Sequence, residues 1–94
     1  MRKLLTLTLL GSFLMGSDIE GVIQSINAGA KSIVVNGNTV QVMQTTKIKY
    51  DGCRGERDSY KQFSDLKVGD YVDIDITYNQ NKIVAKEIEI QCRQ

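Results

Sequence analysis

Histidine, proline and tryptophan are absent from this 94-residue chain, and it holds only two cysteines, two phenylalanines and four tyrosines. The missing histidine removes the commonest general base and a common metal ligand. Ser25, Ser32, Ser59 and Ser64 stand in no nucleophile-elbow context, so hydrolase chemistry has no nucleophile with an activating partner. The reading is non-enzymatic, with no catalytic residue, cofactor or metal ligand assigned. Without proline, an internal repeat, a low-complexity tract or a linker, the chain has length for one small domain and no second. A surplus of charge is also lacking, with 12 basic residues against 11 acidic ones. No strong field would steer nucleic acid or anionic lipid to the surface.

Long apolar runs are limited to one place. The chain opens MRKLLTLTLLGSFLMGS, with Arg2 and Lys3 ahead of a run from Leu4 to Met15. A short basic segment followed by such a run is the pattern of a secretory signal peptide. Its twelve residues are too few to cross a bilayer as a helix, which takes about 20. Cleavage is expected after Ser17, and a form that stays tethered by an uncleaved leader remains open. The absence of a cysteine after the run argues against a lipid-modified amino terminus. The division is therefore 1–17 as signal peptide and 18–94 as a single domain, exported to the periplasm or cell envelope. Losing Arg2 and Lys3 leaves the mature chain nearly neutral.

The two cysteines gain meaning from that leader. Cys53 sits among glycines and charges in KIKYDGCRGERDSYKQF, where no apolar core shelters a thiol, and Cys92 lies near the carboxyl terminus. Two cysteines in a short exported chain read as one disulfide. Closing a loop of this length stabilises a fold by about 4 kcal/mol on the chain-entropy account, a useful addition to a small core. No CxxC spacing supports metal or redox work instead.

The rest has strand periodicity. Ile19, Val22, Ile23 and Ile26 mark a first strand, with a bulge or bend expected at Gly21. Asn27–Ala30 is a turn. Ser32–Val35 runs into Asn36-Gly37, a strong hairpin signal, and Val40 and Val42 alternate inward after it. Thr46–Tyr50 is a further short piece. Ser59–Asp65 is the one place for a helical turn. Val72, Ile74 and Ile76 then share one face, with Tyr71, Asp73, Asp75 and Thr77 on the other. After a turn at Asn79–Asn81, Ile83–Cys92 forms the last strand. Ile83 and Ala85 lie on the parity opposite to Ile88, which requires a bulge between them. The fold class is all-β: a small five- to six-stranded antiparallel barrel of the oligonucleotide/oligosaccharide-binding (OB) type, with at most one short helical turn.

The run F-S-D-L-K-V-G-D-Y-V from Phe63 to Val72, followed by I-V-A-K-E-I from Ile83 to Ile88, resembles a family of exported bacterial domains of unknown function. Ile19–Ile23, Asn38–Val42 and Thr46–Ile48 extend the resemblance over nearly all of residues 19–90. It implies a small OB-like barrel in the cell envelope and supplies no site residues. The charged, cysteine-bearing insertion at 51–61 departs from the pattern. The shared run also makes local sense: Leu66 and Val68 can anchor the turn in the core, Gly69 suits an unusual backbone angle, and Asp70 can cap free N–H groups.

Two charge clusters remain. Asp73 and Asp75 should face Glu87 and Glu89 across a hairpin, a set of oxygens suited to Ca²⁺ or simply a solvated face in which Lys82 and Lys86 relieve repulsion. No Asp-x-Asp-x-Asp-Gly loop is present, so the solvated face is preferred and cation binding is left open. Lys47, Lys49, Tyr50, Arg54, Arg57, Tyr60 and Lys61 form the candidate binding loop, basic groups with aromatics between them. Asp51, Glu56 and Asp58 dilute its charge. The leading expectation is a non-catalytic envelope domain that binds a protein or glycan partner or has a structural role. The alternative is single-stranded nucleic-acid or polyanion binding through 47–61.

Overall fold

A computed structural model describes residues 18–53 and 57–92. The leader expected at 1–17 and Arg54 of the loop lie outside the described residues. Six strands follow in chain order: β1 Asp18–Asn27, β2 Ser32–Val35, β3 Asn38–Tyr50, β4 Ser59–Lys61, β5 Tyr71–Asn79 and β6 Lys82–Ile90. One 3₁₀ turn, Phe63–Asp65, lies between β4 and β5.

The strands pair in the order β2-β1-β5-β6-β3-β4, and a further β2–β3 ladder closes the sheet into a five-stranded barrel. The extra strand, β4, pairs only with the end of β3. Ladders β1–β2, β2–β3, β1–β5 and β5–β6 are antiparallel, whereas β3–β6 is parallel. A meander closed by one parallel pairing is the Greek-key barrel in which no main strand keeps a free edge.

Local chemistry explains the corners. Asn36 and Gly37 take φ of 52° and 77°, the double left-handed bend of a two-residue hairpin, and Val35 pairs with Asn38 directly across it. Gln80 and Asn81 do the same between β5 and β6, at 53° and 67°. The turn before β5 holds Gly69 at φ 100°, while Lys67 N–H donates to the Asp70 carboxylate at 3.0 Å. Leu66 is buried as expected, but Val68 is 61% exposed and lies outside the core. The expected helical segment divides: Ser59–Lys61 extends as β4 against β3, and only Phe63–Asp65 turns.

Bulges set which residues face inward. The β1–β2 register shifts between Ile23 and Ser25, so Ile23 and Ile26, three apart, both turn toward the core. Gly21 keeps its place in the β1–β5 ladder and is not the bulge. A Cβ there would lie 2.8 Å from Asn36 Oδ1, so glycine serves close approach instead. The shift expected near Val84–Lys86 is present: Asp75 pairs with Glu87 and Ile76 with Ala85, leaving Lys86 as the extra residue. The segments 39–43 and 46–50, which read as two pieces, are one strand whose β6 pairing breaks between Val42 and Lys47.

Ile23, Ile33, Ile74 and Ile88 have no exposed surface and form the centre of the core with Val35, Val40 and Val72. Each is worth about 1.5–3 kcal/mol of burial. Among the described residues no helix is long and apolar enough to cross a membrane.

Candidate functional site

Cys53 and Cys92, 39 positions apart in sequence, are joined in a disulfide with Cα atoms 5.4 Å apart. Beside it, Asp51 N–H donates to Ile90 O at 2.8 Å and Gln91 N–H to Tyr71 O at 2.8 Å. The irregular segment after β3 is thereby tied to the end of β6.

The outward faces of β1, β5, β6 and β3 carry one ordered charge array. Asp18 pairs with Asp75, Asp75 with Glu87, and Glu87 with Lys47. In the next row Glu20 pairs with Asp73, Asp73 with Glu89, and Glu89 with Lys49. Cross-strand partners of like sign repel. Burial, and then the carboxylates of Asp18, Glu20, Glu89 and Asp75, hold the Asp73 carboxyl above its ordinary range. Glu89, chiefly by its charge at 3.6 Å, raises the Lys49 ammonium. The four carboxylates expected to meet do meet. Their counter-charges, however, are Lys47 and Lys49 of β3, while Lys82 sits at the hairpin end and Lys86 at the bulge. Among the described residues no three histidine, cysteine or acidic side chains are grouped to hold a metal ion.

That array divides the candidate binding loop. Lys47 and Lys49 point outward beside the acids, and Tyr60, paired with Lys49, is 75% exposed. Tyr50, one residue along and so on the opposite face, packs against the core. Lys61 Nζ stands 5.8 Å from the Tyr50 ring centroid. Arg57 is exposed before β4. The six described residues of the loop do not make one surface. Asp51 in the same loop is pushed up by burial and then by Asp58 and Glu89.

A groove opens where β3 leaves β6. Thr46 Oγ1 donates to Ala85 O at 2.7 Å and accepts from Met43 N–H at 2.9 Å, so the departing stretch is held out as a fixed bow. The resulting space, about 440 Å³, is lined by apolar Val42, Met43, Ile48 and Phe63 and by polar Gln44, Thr46 and Gln62. Met43 is 47% exposed there. Lys31, brought in by a left-handed turn at φ 56°, lies over Phe63 with Nζ 5.1 Å from the ring centroid. Lys61 also lines the groove. No acidic residue lines this groove among the described residues, and the Lys49–Glu89 ion pair lies outside it, on the acidic face. An apolar floor with a few polar groups at its rim is the usual form of a ligand site. Lys31, Met43 and Phe63 had no signal in the sequence, because the groove exists only where three non-adjacent segments meet.

Closed topology, a bowed third strand and one parallel pairing define a small OB-class barrel. Residues 20–89 match the family described as "Domain of unknown function (DUF5666)", and the chain belongs to it. Two solved structures share the fold. The crystal structure of Ag(I)CusF is 16% identical, with a TM-score of 0.55, covering 79% of this chain and 95% of that one. A Cu(II) structure of a CusF variant from Escherichia coli is 16% identical, with a TM-score of 0.54, covering 78% and 88%. No curated protein sequence matches the chain.

Proposed function

We propose that this chain is a non-catalytic, exported domain of the cell envelope that binds an acidic segment of a protein or glycan partner in the groove between β3 and the Phe63 turn. The carrying observation is the groove itself: Val42, Met43, Ile48 and Phe63 line it together with Lys31 and Lys61, and no carboxylate lines it among the described residues. A negative group at the rim would meet both ammonium groups, while an apolar portion covered Met43 and Phe63. The opposed acidic array would discourage the same ligand from settling elsewhere on the barrel. Export is supported by the basic-then-apolar leader and by the disulfide, which persists in oxidising compartments.

The neighbouring structures contain silver and copper, and the residues here do not fit those ions. Soft monovalent ions take thiolate or thioether donors, and copper(II) takes imidazole. This chain has no histidine, both cysteines are spent in the disulfide, and Met43 is the only methionine among the described residues. The nucleic-acid alternative gains no observation, since among the described basic residues Lys47 and Lys49 stand beside the acids while Lys61 pairs with inward-facing Ile48.

Backbone chemical-shift mapping tests the proposal. The domain would be titrated with an acidic peptide bearing one aromatic residue and, separately, with a uronic-acid oligosaccharide. Shifts confined to Lys31, Val42–Thr46 and Lys61–Phe63 are expected with one of them. Shifts from neither probe, or shifts centred elsewhere, contradict it.

A further inference from the structure

The hairpin joining β2 to β3 has the sequence Asn36-Gly37, a dipeptide with inherent reactivity. A backbone N–H of glycine, once deprotonated, attacks the side-chain amide carbon of the preceding asparagine. Glycine makes this easy because it lacks a Cβ to obstruct the approach. The N–Cγ bond forms, the Cγ–Nδ2 bond breaks, and ammonia leaves with the proton. Water then opens the cyclic imide at either carbonyl, giving aspartate or isoaspartate. Water enters, ammonia departs, and nothing is oxidised or reduced.

Both reacting groups are occupied in this fold. Gly37 N–H donates to Gln24 Oε1 at 2.7 Å, so the nucleophile's proton is held by β1. Asn36 Nδ2 donates to Glu20 O at 2.6 Å, so the electrophilic amide is turned toward β1 as well. Gly21 makes this second contact feasible, because any Cβ there would collide with the Asn36 amide. Asn36 and Gly37 are themselves exposed, so water is not kept out. What restrains the chemistry is hydrogen bonding.

We infer that Asn36-Gly37 is a deamidation site which β1 holds closed through Gln24 and the Glu20 carbonyl. Opening it has a structural consequence. Aspartate at this position would set a carboxylate oxygen against the Glu20 carbonyl where a donor now stands. Isoaspartate would also lengthen the backbone inside a two-residue turn that pairs Val35 with Asn38. Either product loosens the tie between β1 and the hairpin, and with it the β2–β3 ladder that closes the barrel.

The test is incubation of the folded protein at mildly alkaline pH, followed by peptide mapping that separates asparagine, aspartate and isoaspartate at position 36. The folded parent should deamidate more slowly than the same chain in urea. Gln24→Ala should speed the reaction about two- to tenfold, the factor corresponding to one net hydrogen bond. Gln24→Glu, which keeps an acceptor, should stay near the parent rate. Ile26→Val, which weakens the core but leaves Gln24 in place, should accelerate it less than Gln24→Ala. Hydrogen exchange supplies a reading that needs no variant: the Gly37 amide should exchange slowly despite its exposure. A folded Gln24→Ala with the parent rate, a parent that reacts as fast folded as unfolded, or rapid exchange at Gly37 would overturn the inference.

Discussion

Lys49 of β3 reaches Glu89 of β6 at 3.6 Å across the one parallel ladder of the barrel. A lysine 40 positions away in sequence thus supplies the counter-charge at the end of the Glu20–Asp73–Glu89 row. Lys49→Met is expected to lower stability only slightly near neutral pH, as the loss of an exposed, solvent-screened ion pair does. The folded-state pKa of Lys49 is raised, so its contribution is full below the ordinary lysine value of 10.5 and disappears as pH rises beyond it. Urea unfolding of parent and variant should converge above that range and at high salt.

Asp73 carries the opposite expectation. Its folded-state pKa lies above the ordinary carboxylate value of 3.8, so its ionised form penalises the fold at neutral pH. Asp73→Asn should therefore raise stability at pH 7, by about 0.2–1 kcal/mol given the screening at an open surface. The advantage should shrink as pH falls toward 4, where the native carboxyl takes up its proton before the unfolded one does. A variant less stable than the parent at pH 7 would contradict the repulsion described for this face.

Much of this was legible in advance, and what was not has a common cause. The inward faces of β5 and β6, the Asn36-Gly37 hairpin and the bulge near Lys86 follow from alternation and turn chemistry, both local. Val68 was misplaced because a valine after Leu66 looks like core, whereas the turn is secured by Leu66 burial, Gly69 and the Asp70 cap. Lys82 and Lys86 looked like the relief for the acidic face because they are on the same strand. The true partners come from β3 through a long-range parallel pairing that periodicity does not encode. The groove was invisible for the same reason.

Gly21 offers a separable prediction. Gly21→Ala would push the Asn36 amide from the Glu20 carbonyl and is expected to cost about 1 kcal/mol, the worth of that hydrogen bond. Asn36→Gly tolerates the positive φ and removes the obstructing group. A double-mutant cycle on thermal or urea unfolding should show that Gly21→Ala costs little once Asn36 is glycine. Simple additivity would contradict the close approach.

Reduction of Cys53–Cys92 should destabilise the domain by up to about 4 kcal/mol. Cys53→Ser with Cys92→Ser should reproduce the loss without reductant. Unfolding curves unchanged by reductant would show that the segment after β3 needs no covalent tie.

The central claim is that the groove beside the bowed third strand binds an acidic partner through Lys31 and Lys61. Isothermal titration of the parent and the Lys31→Ala/Lys61→Ala double variant, each with whichever acidic probe shifts the groove resonances, tests it most directly. The account predicts measurable binding that weakens with salt and falls at least about tenfold in the double variant, the loss of two charge-assisted contacts. Equal affinity in parent and variant would contradict it.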